Sequence, residues 1–196
     1  MNRTLEATVA SVIFVMSSAV TVAAGSLEDG HAAFQRNEYV TAFRLLRPLA
    51  SSGNASAQFE IGYMYAHGFG APKNVSEGLR WFGLAAEQGY PDAESSLGFA
   101  YYFGEGVLSN YRVAAKWLRR AANQGLGNAQ NRLGLMYERG EGVPQDYVSA
   151  YLWFDLAAAQ GFPAVAPNRE RVAGRMTDSQ IAEAQKLSRE WKPTKP

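Results

Sequence analysis

Three consecutive stretches of this chain are copies of one another. Residues 57–92, 93–128 and 129–164 align without a gap, a period of 36 residues, and ten positions are identical in all three. They are Ala57/Ala93/Ala129, Gly62/Gly98/Gly134, Tyr65/Tyr101/Tyr137, Gly68/Gly104/Gly140, Gly70/Gly106/Gly142, Trp81/Trp117/Trp153, Ala85/Ala121/Ala157, Ala86/Ala122/Ala158, Gln88/Gln124/Gln160 and Gly89/Gly125/Gly161. Repetition at such a period means that the chain grows by stacking one small unit, because a single unit buries its apolar face only against its neighbours.

The unit is a pair of helices. Ala57, Ile61, Met64 and Tyr65 fall on one face by the three-and-four spacing rule, which predicts a helix A over about 55–67. Gly68 stands where a left-handed C-terminal cap belongs, and Gly70 follows in the loop. Asn74, Asn110 and Asp146 are N-cap residues for a helix B over about 75–88, which ends at Gly89. In the first copy Glu77 completes a capping-box pattern with Asn74. Gly62 is the informative oddity. Glycine inside a helix costs about 1 kcal/mol relative to alanine, yet three copies keep it. A close crossing explains that, with Trp81 or Ala85 of helix B expected opposite the missing side chain.

The flanks carry the same scheme in weaker form. Phe34, Tyr39, Ala42, Leu45, Leu46 and Leu49 continue the apolar pattern upstream, so 26–56 is expected to be a degenerate helix pair. Downstream, Thr177 with Gln180 forms a capping box for a helix over about 178–191, whose stripe is Ile181, Ala184, Leu187 and Trp191. Residues 165–191 are expected to cap the stack and 192–196 to be a loose tail. The first 25 residues differ: Arg3, then an apolar or small-residue run from Ala7 to Ala24. That order predicts a signal segment over 1–25, cleaved near 24–26, and export to the periplasm or outside the cell. An uncleaved N-terminal anchor is the alternative.

Composition narrows the function. The formal net charge is +1, a near-neutrality that gives no electrostatic footprint for nucleic acid and no polybasic signal for an anionic membrane. With no cysteine, disulfides, thiol nucleophiles and thiolate metal sites are excluded. The two histidines, His31 and His67, show no metal-ligand spacing. No Ser-x-x-Lys, Gly-x-Ser-x-Gly, His-Glu-x-x-His or phosphate-loop pattern occurs. Neither catalysis nor a cofactor is expected.

Leu97-Gly98, Tyr101, Gly104-Glu105-Gly106-Val107, Trp117, Ala121-Ala122 and Gly125 resemble the Sel1-like repeat signature, which is related to the tetratricopeptide repeats. The third copy is similar through Leu133-Gly134 and Gly140 to Asp146; the first departs at Phe69 and Ala71. The resemblance implies an all-α chain, a right-handed α-solenoid of helix–turn–helix repeats between degenerate capping helices, with helix A lining a concave face. It implies a scaffold or adaptor that binds a partner protein. The matching groove positions are Phe59, Tyr63 and Ala66, then Ser95, Phe99 and Tyr102, then Asn131, Leu135 and Glu138. The alternatives are a secreted factor that engages a host or foreign protein, and a hydrolase like the β-lactam-linked relatives, whose paired cysteines are absent here. The partner's identity and the oligomeric state stay open.

Overall fold

A computed structural model describes residues 27–161 and 165–194; the expected signal segment lies outside the described residues. Six helices of 13 residues form the middle: α3 (Ala55–His67), α4 (Val75–Glu87), α5 (Pro91–Phe103), α6 (Tyr111–Asn123), α7 (Gly127–Arg139) and α8 (Tyr147–Ala159). Before them stand α1, over 27–35, and α2 (Tyr39–Ser51). After them come α9 (Ala166–Ala173) and α10 (Asp178–Glu190). From α2 to α9 each helix packs on the next, α10 packs back on α8, and no strand occurs among the described residues.

Local chemistry sets the helix ends. Gly68, Gly104 and Gly140 cap α3, α5 and α7 in the left-handed conformation. Asn74, Asn110 and Asp146 each accept a backbone N–H of the first turn of α4, α6 and α8, satisfying a donor the helix leaves free. Thr177 and Gln180 form the complete capping box on α10. At α4 only half of the box forms: the Glu77 carboxylate turns to Arg80, at 2.7 and 3.0 Å, where a guanidinium fork outcompetes a single amide.

The intrahelical glycine marks the closest approach of A to B, but the residue opposite is not Trp81 or Ala85. It is the position after the tryptophan. A Cβ on Gly62 would stand 2.7 Å from Phe82 Cδ1, on Gly98 2.6 Å from Leu118 Cγ, and on Gly134 2.7 Å from Phe154 Cε1. Trp81 instead joins Ile61, Met64 and Leu46 in the layer shared with the preceding helix pair; Trp153 does the same with Leu118 and Met136, and Trp117 packs against Phe82 and Leu97. The two adjacent positions therefore divide the work, one closing the pair and one joining pairs. The loop glycines also join pairs. Gly70, Gly106 and Gly142 have φ of 69°, 73° and 70°, and a side chain there would run into Tyr39, Val75 and Tyr111, at the start of the preceding helix B.

The flanking pairs repeat the pattern. Gly30 faces Leu46 as Gly62 faces Phe82, and Leu46 lies 36 residues before Phe82. His31 fastens α1 to α3: its Nδ1 is 2.5 Å from Glu60 Oε1 and its Nε2 is 3.3 Å from Ser56 Oγ. At the other end Trp191 packs against the core of the second and third copies, and the Thr194 amide donates to the Asn123 carbonyl at 2.8 Å. That stretch of the expected tail is tied to the C-terminal end of α6.

A polar ladder crosses the apolar layers. Gln88 Nε2 donates to Gln58 Oε1 at 2.8 Å, and Gln58 Nε2 donates to the Ala50 carbonyl of the preceding pair at 3.1 Å. Gln160, Gln130 and Ala122 repeat both bonds at the same distances. In the middle copy the central residue is Glu94, which accepts from Gln124 at 2.9 Å but has no proton to give the Ala86 carbonyl. Arg120 supplies it, donating to Ala86 at 2.9 Å while its Nε lies 2.7 Å from Glu94. Burial still pushes the Glu94 carboxyl above the ordinary glutamate range, against the pull of Arg120.

Gly98→Val places methyl groups where Leu118 already stands, 2.6 Å away. The variant is expected to lose about 1–3 kcal/mol of stability, read as a lower urea midpoint; an unchanged midpoint would remove close approach as the reason for the glycine.

Candidate partner-binding face

Of the groove positions, three come together at an open cleft of about 600 Å³ between the first two repeats: Tyr63, Ala66 and Phe99 line it with Val75, Leu79 and Phe82. Its wall is apolar because both helix A positions and the exposed shoulder of helix B contribute. Lys73, His67, Glu105 and Ser96 stand among its polar residues.

Tyr63 belongs to a column of rings. It packs edge-on to Phe34 at 5.6 Å and stacks on His67 at 4.0 Å; His67 stacks on Phe69 at 5.6 Å, and Phe69 on Tyr39 at 4.6 Å. The His67 Nδ1–H donates to the Tyr63 carbonyl at 2.8 Å, which fixes the imidazole plane along the helix. The column holds Tyr63 in one orientation beside the cleft, which lowers the entropy lost when a partner docks.

Phe99 is shared between the cleft and a cation. It stacks on the exposed Phe103 at 6.2 Å, and the Arg132 guanidinium lies 5.5, 4.6 and 5.1 Å from the ring centres of Phe99, Tyr102 and Phe103. These are cation–π distances. Tyr102 is buried, and its hydroxyl donates to Glu141 Oε2 at 2.7 Å, tying α5 to the loop of the third copy.

The remaining positions are occupied by packing. Phe59 lies 5.6 Å from Phe82 and 5.3 Å from Tyr90, within the layer between the first and second copies. Ser95 is buried, with its hydroxyl 3.3 Å from Asn128 Oδ1. In the third copy the capping helix α9 stands where the next helix A would be. Asn168 reaches Asn131 at 3.4 Å, Leu135 packs into the cap's apolar cluster, and Arg171 grips Glu138 with two bonds of 2.7 and 2.6 Å. The Arg171 guanidinium holds the Glu138 carboxyl below the usual carboxylate range. Asn131, Leu135 and Glu138 thus meet the chain's own cap, whereas the half-buried Tyr63 and Phe99 each keep one side on the open cleft.

Two features went unread in the sequence. Gln58, Glu94 and Gln130, the ladder's centre, sit one residue after the invariant alanine and always 30 before the invariant glutamine. That fixed interval is the signal which would have found them. Arg132 falls at a register position shared with Glu60 and Ser96, where variation reads as ordinary solvation. Among the described residues no group of three or more His, Asp or Glu is placed to hold a metal ion, and no helix is long and apolar enough to cross a membrane.

The architecture is that of an α-solenoid built from helix–turn–helix units. The Sel1 repeat family matches at 55–90, 91–126 and 127–162, more than half of the chain and the same period begun two residues earlier. The chain belongs to the Sel1 repeat family. Its fold is similar to that of a Sel1 repeat protein from Oxalobacter formigenes, with 31% identity and a TM-score of 0.70 over 73% of this chain and 59% of that one. A protective antigen of uropathogenic Escherichia coli strains, c5321, described as displaying an SLR fold, matches at 24% identity and a TM-score of 0.49, over 86% of this chain and 53% of that one. The chain therefore spans little more than half the length of each. No curated protein matches it. Sel1 repeats commonly mediate protein–protein interaction, and their solenoid is typically a non-catalytic scaffold.

Glu138 couples the cap to pH. Its depressed carboxyl contributes stability above the ordinary carboxylate pKa, and that contribution is lost as pH falls through the lowered value. Arg171→Ala is expected to cost on the order of 2 kcal/mol, less than the ~3–5 of a fully buried pair, because the Arg171 side chain is 43% exposed. Protection of the α9 amides, relative to their intrinsic exchange rates, should fall in the variant at neutral pH and in the parent only in acid; equal protection in both at neutral pH would contradict this.

Proposed function

We propose that this chain is an exported, non-enzymatic scaffold that holds a partner protein on the helix A face, anchored in the cleft between the first two repeats. One observation carries the reading. At the register position following the intrahelical glycine, Tyr63 and Phe99 are large aromatic residues that line an open apolar cleft, whereas the third copy's Leu135 is packed under the cap. Aromatic side chains on a rigid helical frame offer large contact area at small entropy cost, and hot spots favour them. The family's common role in protein–protein interaction supports the same conclusion.

Export rests on the N-terminal order of Arg3, an apolar run and small residues before Ser26. A role in the cell envelope or outside the cell follows from it.

The Tyr63→Ala/Phe99→Ala double variant is expected to recover at least about tenfold less partner than the parent in pull-downs, a loss of about 1.4 kcal/mol or more, with unchanged helix content by circular dichroism. Equal recovery by both proteins would sink the cleft as the anchor. Fractionation of producing cells should place a chain beginning near Ser26 outside the cytoplasm; an unprocessed chain confined to the cytoplasm would overturn export.

A further inference from the structure

Resting on the scaffold reading, we infer that the cleft takes an acidic segment of the partner: a large apolar side chain seated against Phe99, with neighbouring carboxylates on Arg132 and Lys73. The charges around the cleft are unevenly matched. Arg132 and Lys73 have no carboxylate within 4.0 Å among the described residues. The acids of the same face are mostly committed: Glu60 to His31, Glu138 to Arg171, and Glu141 to the Tyr102 hydroxyl and, at 3.7 Å, to Arg139. Glu105 alone lines the cleft as an acid without an ion pair.

Position reinforces the charge. Arg132 is half-buried among three aromatic rings, its guanidinium 4.6–5.5 Å from their centres, and it shares the Tyr102 hydroxyl with Glu141. A partly desolvated cation attracts an anion more strongly than one in bulk water, and the guanidinium fork fits a carboxylate with two parallel bonds. Phe99 is the shared element: its side chain lines the cleft and its ring also lies under Arg132. An apolar side chain seated against Phe99 therefore brings the adjacent residues of the bound segment within reach of the cation. The exposed Phe103 ring, stacked on Phe99, extends the apolar platform beneath that segment.

Random dodecapeptides displayed on phage, selected on the full chain and counter-selected on Phe99→Ala, test this. Enriched peptides are expected to carry Asp or Glu within a few residues of an aromatic residue or leucine. A synthetic copy of the strongest should bind Arg132→Gln at least about tenfold more weakly, recover partly with Arg132→Lys, and weaken as salt shortens the screening length. Enrichment of basic or uncharged peptides, or equal binding by Arg132→Gln of unchanged helix content, would overturn the acidic assignment. Peptides that require Phe99 but ignore Arg132 and salt would overturn it and leave the scaffold reading standing. The absence of any Phe99-dependent peptide would take down both.

Discussion

The structure hangs on the contact between a backbone without a side chain and a large residue that fills the space. Gly62 with Phe82, Gly98 with Leu118 and Gly134 with Phe154 close the crossing of helices A and B in the same way in every copy. Fixing that crossing rotates helix B so that the preceding residue, always tryptophan, faces backward onto the previous pair. The loop glycines then have only one seat, on the start of the previous helix B. The pair is thereby a half-finished core, and each copy completes its predecessor.

The two ends of the stack show what such a core requires. At the N-terminus Gly30 and Leu46 rebuild the contact in a shorter pair, with His31 and Glu60 as a polar fastening. At the C-terminus α9 takes the place of a further helix A and spends Arg171 on Glu138. Capping has a functional side: it consumes the helix A face of the last copy and leaves open the apolar cleft between the first two repeats.

Much of this could be read from residue types alone. Helix bounds near 55–67 and 75–88, the left-handed caps at Gly68, Gly104 and Gly140, the side-chain caps at Asn74, Asn110 and Asp146 and the box at Thr177 are local chemistry, and local chemistry is written in adjacent residues. The residue opposite the glycine was not legible by identity, because Phe82, Leu118 and Phe154 share bulk rather than type. Volume complementarity tolerates such exchanges. The contact between Glu138 and Arg171 joins a repeat to a segment outside the alignment, so no periodicity announces it. Tyr63, Ala66 and Phe99 were legible as face positions, whereas their meeting in one cleft depends on how consecutive copies are offset.

The substitution of Glu94 for glutamine in the ladder gives the copies an order. The first and third carry Gln58 and Gln130, each able both to accept from its own helix B and to donate to the previous one. The middle copy divides those tasks between Glu94 and Arg120. The equivalents of Arg120 in the other copies are Leu84 and Leu156, which have no proton to lend. A stack slipped by one repeat, which paired Glu94 with the second helix of another repeat, would bury a carboxylate against a leucine, at the cost of an uncompensated charge. Modules that share one set of packing positions are prone to slip past one another. In this chain the central module carries a lock whose key is only on its own second helix.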